Sequence, residues 1–180
     1  MAIGYEATRF PPCFSVREDS EEFFLLLSEG DVDMKILDYE FPEDRLYDKE
    51  HAWFKKDGDN VIIGVTDFFQ KSANEIVFVE LPLAGRNLET GKPFVSIESG
   101  KWVGRVKSSI NGAVVKTNGE LKDFPYLLNE SPYNDGWMVV VKPQVEAFES
   151  GLLDLNNAEQ LKEYESFLNA ETEKIAGMAK

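Results

Sequence analysis

The strongest constraint on the fold of this chain is a series of short apolar segments, rich in β-branched residues and separated by glycine or proline. Segments such as Val61–Val65 and Ile76–Leu81 have the usual length of a strand and are short for a helix. The same pattern recurs at Phe94–Ile97, Val103–Val106, Ala113–Val115 and Gly136–Val141. Many short strands with glycine-marked turns predict a barrel or a sandwich rather than strands and helices alternating in a parallel sheet.

Two chain reversals are predicted within this series. Ser99-Gly100 separates two of the strands, and Asn111-Gly112 is a dipeptide typical of tight turns. Lys101 follows the first reversal, so its side chain is expected to project into solvent while the flanking strands hold the backbone rigid. Its ammonium lies on a flexible stem and can be acylated. A solvated charge is the simpler interpretation of such a lysine.

Helical segments are predicted between the strands. Thr66-Asp67 can cap a helix that runs to about Asn74, with Phe68 and Phe69 facing inward. A helical stretch interrupted by proline surrounds Pro125. The phenylalanines are expected in the core, together with Trp53 and Trp137.

Two further helices are predicted nearer the ends of the chain. Residues 19–27 resemble a capped short helix that stops at Gly30. Asn156 or Asn157 can cap a long C-terminal helix. Its apolar stripe is expected to pack on the same domain rather than on a partner, and it consists of Leu161, Tyr164, Leu168 and Ile175.

The charge of the chain is unevenly distributed. Of the net charge of −14, residues 1–50 carry −9 and residues 144–180 carry −5, whereas residues 51–143 are neutral. This balance argues against nucleic-acid binding, which needs a basic face. The acidic arms are either solvated surfaces or a docking surface for a basic partner. No apolar run approaches the roughly 20 residues that span a bilayer, so no membrane partner is expected.

The residue types offer little for catalysis or metal binding. The chain has one cysteine, Cys13, and one histidine, His51, which excludes an internal disulfide and a Cys/His zinc site. No nucleophile elbow or phosphate loop is present, and His51 is interpreted as a structural or interface histidine rather than a base. We therefore expect no catalytic residues and no metal. No secretory or transit peptide is evident, which favours a cytoplasmic location.

An ordered set of motifs resembles the H protein of the glycine cleavage system, a lipoyl carrier. The matching residues are Tyr47–Trp53, Ile63–Gln70, Ile76–Pro82, Gly85, Gly91–Phe94, Ile97–Lys101, Asn111-Gly112, Asn129–Tyr133 and Gly136-Trp137. The resemblance implies a mainly β fold, a flattened barrel-sandwich of two antiparallel sheets like lipoyl and biotinyl domains, with short helices and a C-terminal helix. It divides the chain into an acidic N-terminal extension (1–45), a carrier domain (46–143) and a C-terminal helical segment (144–180).

The resemblance also implies a function for the lysine at the first reversal. Lipoate would be joined by an amide to Lys101, with Glu98, Ser99 and Gly100 as the accompanying site residues. A lipoate ligase or lipoyl transferase would attach it. The arm would carry an aminomethyl group between glycine decarboxylase and aminomethyltransferase and be reoxidised by dihydrolipoamide dehydrogenase. The protein itself would be a carrier and not an enzyme.

The chain departs from the usual family pattern around this lysine. Gly100 and Trp102 replace the usual valine and alanine, so the turn is expected to be looser and the indole to shield the arm or to hinder the ligase. Arg105 and Lys107 also replace the usual residues of the following strand. Two alternatives therefore stay open. One is a lipoate-binding protein of another pathway, for example a sulfur carrier beside heterodisulfide-reductase-like enzymes, and the other is an unmodified binding module.

Overall fold

The computed structural model describes residues 33–145 and 148–178. Within these ranges the chain forms eleven strands in three antiparallel sheets. The strands are β1 (Asp33–Ile36), β2 (Tyr39–Pro42), β3 (Leu46–Tyr47), β4 (Ala52–Asp57), β5 (Asn60–Val65), β6 (Ile76–Glu80), β7 (Asn87–Leu88), β8 (Pro93–Ser99), β9 (Val103–Lys107), β10 (Gly112–Thr117) and β11 (Val139–Pro143). The short helix predicted in residues 19–27 lies outside the described residues.

Two sheets form the body of the fold, as the predicted two-sheet sandwich requires. The larger sheet has the strand order β3-β4-β5-β11-β10-β7, and the smaller sheet has the order β6-β8-β9. One core cluster draws on both, with Phe54 and Ile63 from the larger sheet and Val95, Ile97 and Val106 from the smaller one. The mainly β prediction is confirmed.

The larger sheet also buries its other face. Alternate residues of its central strands, including Trp53, Ile62 and Val140, belong to a second cluster. Because these strands are covered on both faces, nearly all of β5 and the first three residues of β4 and of β11 are apolar without alternation. This double burial explains why Val61–Val65 contains no polar residue.

The second cluster is closed by segments from both ends of the described chain. Strands β1 and β2 form a two-stranded sheet that contributes Ile36 and Phe41 to the cluster. The C-terminal segment is attached to the sheet where Tyr47 and Leu153 exchange backbone hydrogen bonds of 2.9 and 2.7 Å. The proposed division at residues 45 and 143 stays a prediction.

Three α-helices connect or cover the strands in the described part of the chain. Helix α1 (Asp67–Ala73) begins at Thr66, whose hydroxyl accepts a hydrogen bond of 3.2 Å from the Phe69 amide, as the capping prediction required. Helix α2 (Leu127–Glu130) is a single turn, preceded by a 3₁₀ turn at Gly119–Lys122. Both lie in the region where a proline-interrupted helical stretch was expected.

Helix α3 (Ala158–Met178) is the predicted C-terminal helix. Asn157 caps it by accepting hydrogen bonds from the amides of Glu159 and Gln160 at 3.0 and 3.2 Å. Tyr164 and Leu168 are fully buried in the second cluster, and Leu161 packs against it. The inclusion of Ile175 in this stripe was wrong, because its side chain is 42% exposed. Among the described residues, no helix combines the length and apolar character needed to cross a membrane.

Two other predictions need correction. Asn111-Gly112 is not a tight hairpin turn, since β9 and β10 lie in different sheets and Gly112 has no positive φ. Glycine is needed there for space, because a Cβ would lie 2.6 Å from the carbonyl oxygen of Lys142. The phenylalanines are also not all in the core, as Phe78 and Phe124 are each 48% exposed.

Candidate cofactor-attachment site

The connection between β8 and β9 is a two-residue turn. The Ser99 amide donates to the Trp102 carbonyl at 2.8 Å, and the Trp102 amide donates back to the Ser99 carbonyl at 3.4 Å. Gly100 and Lys101 are the two residues enclosed by this pair of hydrogen bonds. Because two-residue hairpin loops are the tightest connections between antiparallel strands, Lys101 lies at the apex of the hairpin. The chain reversal predicted at Ser99-Gly100 is thus present.

The Lys101 side chain is exposed. In the region that the structure describes, its ammonium makes no hydrogen bond and no ion pair. The backbone beneath it is held by the ladder between β8 and β9, which pairs Glu98 with Val103 and Ile97 with Gly104. The site therefore combines a fixed backbone with a freely accessible amine.

The neighbours that were predicted with Lys101 occupy different environments. Ser99 is buried, and its hydroxyl lies 3.5 Å from both the Lys101 amide nitrogen and the Trp102 carbonyl oxygen. Glu98 is exposed one residue earlier. Gly100 is exposed, and a Cβ on it would meet nothing within 4 Å, so space does not require glycine there. Ser99 thus supports the turn, whereas Glu98 is available to solvent.

Glu98 lies in a row of exposed residues across the smaller sheet. Register pairs it with Phe78 on β6 and with Val103 on β9, which are 48% and 68% exposed. Phe78 faces outward with its partner Glu98, whereas Ile76, two residues earlier, is buried because the ladder between β6 and β8 is irregular between these two residues. This irregularity depends on pairing between strands, so no local sequence signal indicated it.

Trp102 occupies a defined position beside the apex. Trp102 immediately precedes β9 and lies two residues before Gly104, so both residues face the same side of the sheet, and the indole folds back over Gly104. A Cβ at Gly104 would lie 1.7 Å from the Cζ2 and Cη2 atoms of the Trp102 ring. The indole also meets Phe69 of α1 edge-on, with ring centroids 5.7 Å apart. Sequence reasoning missed the contact with Phe69, which joins two separate elements.

A polar network ties the loop before β4 to the far end of β9. The Lys107 ammonium pairs with the Glu50 carboxylate at 3.0 Å, and the Ser109 hydroxyl donates to Asp48 at 2.5 Å. Burial raises the pKa of Asp48 to about 6, partly opposed by the hydrogen bonds from Ser109 and from the amides of Ala52 and Glu50. These bonds fix the loop against the smaller sheet.

His51 is part of an aromatic stack. Its ring lies 4.6 Å from the ring of Phe68 and 5.3 Å from that of Phe167, centroid to centroid. Burial lowers the pKa of His51 to about 4, although Glu171 and Glu50 act in the opposite direction. A buried neutral histidine in contact with two phenylalanine rings fits the structural interpretation. No group of three or more His, Cys, Asp or Glu side chains within residues 33–145 and 148–178 is arranged to hold a metal ion.

A sandwich of two antiparallel sheets with an accessible lysine at the apex of a hairpin is an arrangement compatible with the class of carrier domains, which hold a covalently attached group. The comparisons with known proteins specify the family. The family model described as "Glycine cleavage H-protein" matches residues 45–165.

Relatives with the name "Glycine cleavage system H protein" agree with this match. The one from Geobacillus kaustophilus is 41% identical over 128 residues, which cover 71% of this chain and 96% of that protein. The one from Staphylococcus carnosus is 46% identical over 122 residues, covering 68% of this chain and 94% of that protein. The crystal structure of a glycine cleavage system H protein from Mycobacterium marinum is similar, with a TM-score of 0.56 and 30% identity over 58% of this chain and 87% of that chain.

The chain belongs to the glycine cleavage H-protein family. Members of this family are non-catalytic carriers that bear a lipoyl group on a lysine. The predicted family, the carrier function and the lipoyl cofactor are thereby confirmed.

Proposed function

We propose that Lys101 is the residue that bears the lipoyl group. The observation that supports this most strongly is the two-residue turn, which places one accessible amine at the apex of a hairpin with a fixed backbone. Formation of an amide requires an amine that another enzyme can reach. In addition, the amine makes no ion pair within the described residues that modification would have to break.

The residues around Lys101 suit attachment of a long tether. Ser99 and the paired strands hold the backbone of the turn, so the freedom of the arm begins at the lysine side chain. Glu98 and the exposed side chains of Phe78 and Val103 form a mixed surface that a lipoate ligase or lipoyl transferase can contact. When bound, the lipoyl group supplies a redox-active disulfide on a long flexible chain.

The partners follow from this assignment. We propose that the arm serves glycine decarboxylase, aminomethyltransferase and dihydrolipoamide dehydrogenase in turn, in the cytoplasm. A tether raises the effective concentration of its reactive end at each docked enzyme, so the carrier needs no catalytic residue of its own. The hairpin of β8 and β9 contributes by keeping the point of attachment at the edge of the domain.

Glycine-dependent exchange of carbon dioxide by glycine decarboxylase tests this pathway. Fully lipoylated protein, checked by intact mass, should support exchange, and the unlipoylated protein and Lys101→Arg should not. Full lipoylation without any exchange would count against glycine cleavage. Such a result would favour the carrier of another pathway, such as one that includes heterodisulfide-reductase-like enzymes.

A further inference from the structure

Trp102 covers the end of the core-facing surface of the smaller sheet. Ile97 of this surface is buried and pairs with Gly104 on β9, which has no side chain. Trp102 precedes Gly104 by two residues and therefore faces the same way. The indole lies in the space that a side chain at position 104 would fill.

The indole of Trp102 is packed against other residues over part of its surface and exposed to solvent over the rest. The backbone of Gly104 and the ring of Phe69 support it, and Phe69 itself packs against the core. The side chain of Trp102 nevertheless stays 43% exposed. A flat aromatic surface is thus held in a fixed orientation, directly beside the residue at the apex.

This surface has the chemistry to bind an apolar, sulfur-containing chain. Sulfur atoms make favourable contacts with aromatic rings, and methylene groups gain from leaving water. A chain attached to Lys101 starts one residue away from the indole, so contact between them is intramolecular and needs no second binding partner.

We propose that the exposed face of Trp102 is the resting position of the lipoyl group, and that Gly104 and Phe69 are positioning residues that hold the indole there. This inference rests on the proposed attachment at Lys101. It also decides between the two effects expected of Trp102, because an indole held back over Gly104 leaves the apex open to a ligase and is placed to shield the arm.

Tryptophan emission offers a readout that does not depend on the partner enzymes. The chain has three tryptophans, and Trp53 and Trp137 are buried, with 0% and 8% exposure. Iodide in solution should therefore quench Trp102 in preference to the other two. A disulfide in contact with an indole also quenches its emission. Oxidised lipoyl protein should show weaker emission and less iodide quenching than unlipoylated protein, and reduction by a phosphine should restore the emission.

Three variants separate the contribution of the Trp102 indole from that of the space at Gly104. Trp102→Phe retains an aromatic ring and should abolish the lipoyl-dependent change in emission, because only the two buried tryptophans remain. Gly104→Ala keeps the indole but expels it from its position, so the change should be lost there as well. In Trp102→Ala the phosphine should reduce the lipoyl disulfide on the order of two- to tenfold faster than in wild type. This acceleration corresponds to the loss of a sulfur–aromatic contact.

The outcomes distinguish this inference from the one on which it rests. Suppose that intact mass shows full lipoylation of wild type, but lipoylation changes neither emission nor iodide quenching and Trp102→Ala does not change the reduction rate. The proposed resting position is then wrong, while the attachment at Lys101 stands. If no lipoylation occurs under conditions that modify a control carrier, both proposals fall. Lys101→Arg serves as the control that leaves Trp102 in place without an arm.

Discussion

At the scale of single residues, two tryptophan rings each require a glycine beside them. Gly64 faces Trp53 across the ladder between β4 and β5. A Cβ on Gly64 would lie 2.4 Å from the Cζ2 atom of the Trp53 ring, just as Gly104 gives space to Trp102. In both cases the glycine serves close packing, since neither residue has a positive φ.

This packing predicts that a single methyl group added at position 64 will strongly lower the stability of the fold. We expect Gly64→Ala to lower the free energy of unfolding by about 1–3 kcal/mol, because the added methyl group would overlap the ring of the fully buried Trp53. Gly100→Ala is the matched control and should stay within about 0.5 kcal/mol, since its Cβ meets nothing. Urea denaturation measures both. Equal effects of the two substitutions would contradict the close approach of Gly64 to Trp53.

Asp48 and His51 are expected to change the folding stability in opposite directions over the same pH range, from about 4 to about 6. Asp48 has a folded pKa of about 6 against an ordinary 3.8, so the stability it contributes at low pH is lost as pH rises from about 4 to 6. His51 has a folded pKa of about 4 against an ordinary 6.5. Its burial as a neutral ring lowers stability as pH falls from about 6.5 to 4. The two effects largely cancel near pH 5.

Substituting one of the two residues at a time should reveal the contribution of the other to the pH dependence of stability. Asparagine tolerates the φ of 64° at position 51. In His51→Asn, the stability relative to wild type should therefore fall as pH rises from about 4.5 to about 6. Asp48→Asn should show the reverse slope. Each change in slope should approach about 1.4 kcal/mol per pH unit. Urea midpoints across this range provide the slopes, and two variants with unchanged slopes would refute the assignment.

At the scale of elements, helix α3 shows which part of its length contacts the domain. Leu168 is fully buried in the second cluster, whereas Ile175 lies two turns later and is 42% exposed. Helical spacing alone put both in one stripe. It could not show where the surface beneath the helix ends, because that surface is built by β1, β2 and Trp53.

Alanine substitutions along this helix should follow burial and not spacing. We expect Leu168→Ala to lower the free energy of unfolding by about 2–4 kcal/mol through loss of packing. Ile175→Ala should change it by about 0.5 kcal/mol or less. Thermal or urea unfolding of both variants gives the comparison. A larger loss for Ile175→Ala would mean that the exposed end of the helix contributes to the core.

The strands and caps were predictable because their signals are local. Thr66 and Asn157 cap the helices for which they were chosen, and the segments at 61–65 and 76–81 form strands within one residue of the expected bounds. Asn111-Gly112 misled because its close approach to Lys142 depends on pairing with a distant strand. Local sequence does not contain that information.

At the scale of the whole molecule, the sandwich combines a packed core with an exposed hairpin that presents Lys101. Two core clusters fix the sheets, and the hairpin of β8 and β9 extends one accessible lysine from the edge of the smaller sheet. The position of Lys101 was predictable from the reversal at Ser99-Gly100. The support of Trp102 by Phe69 was not, because it depends on how α1 packs against β9.

Lipoylation of lysine variants, followed by intact mass, tests the central claim most directly. Lys101→Arg keeps the positive charge and should retain the wild-type circular dichroism, since the side chain makes no contact that the fold needs. Lys92→Arg is the matched control, because Lys92 is also an exposed lysine in a turn. With lipoate and a lipoate ligase, wild type and Lys92→Arg should each gain one lipoyl group and Lys101→Arg none. A lipoyl group on folded Lys101→Arg would contradict the account.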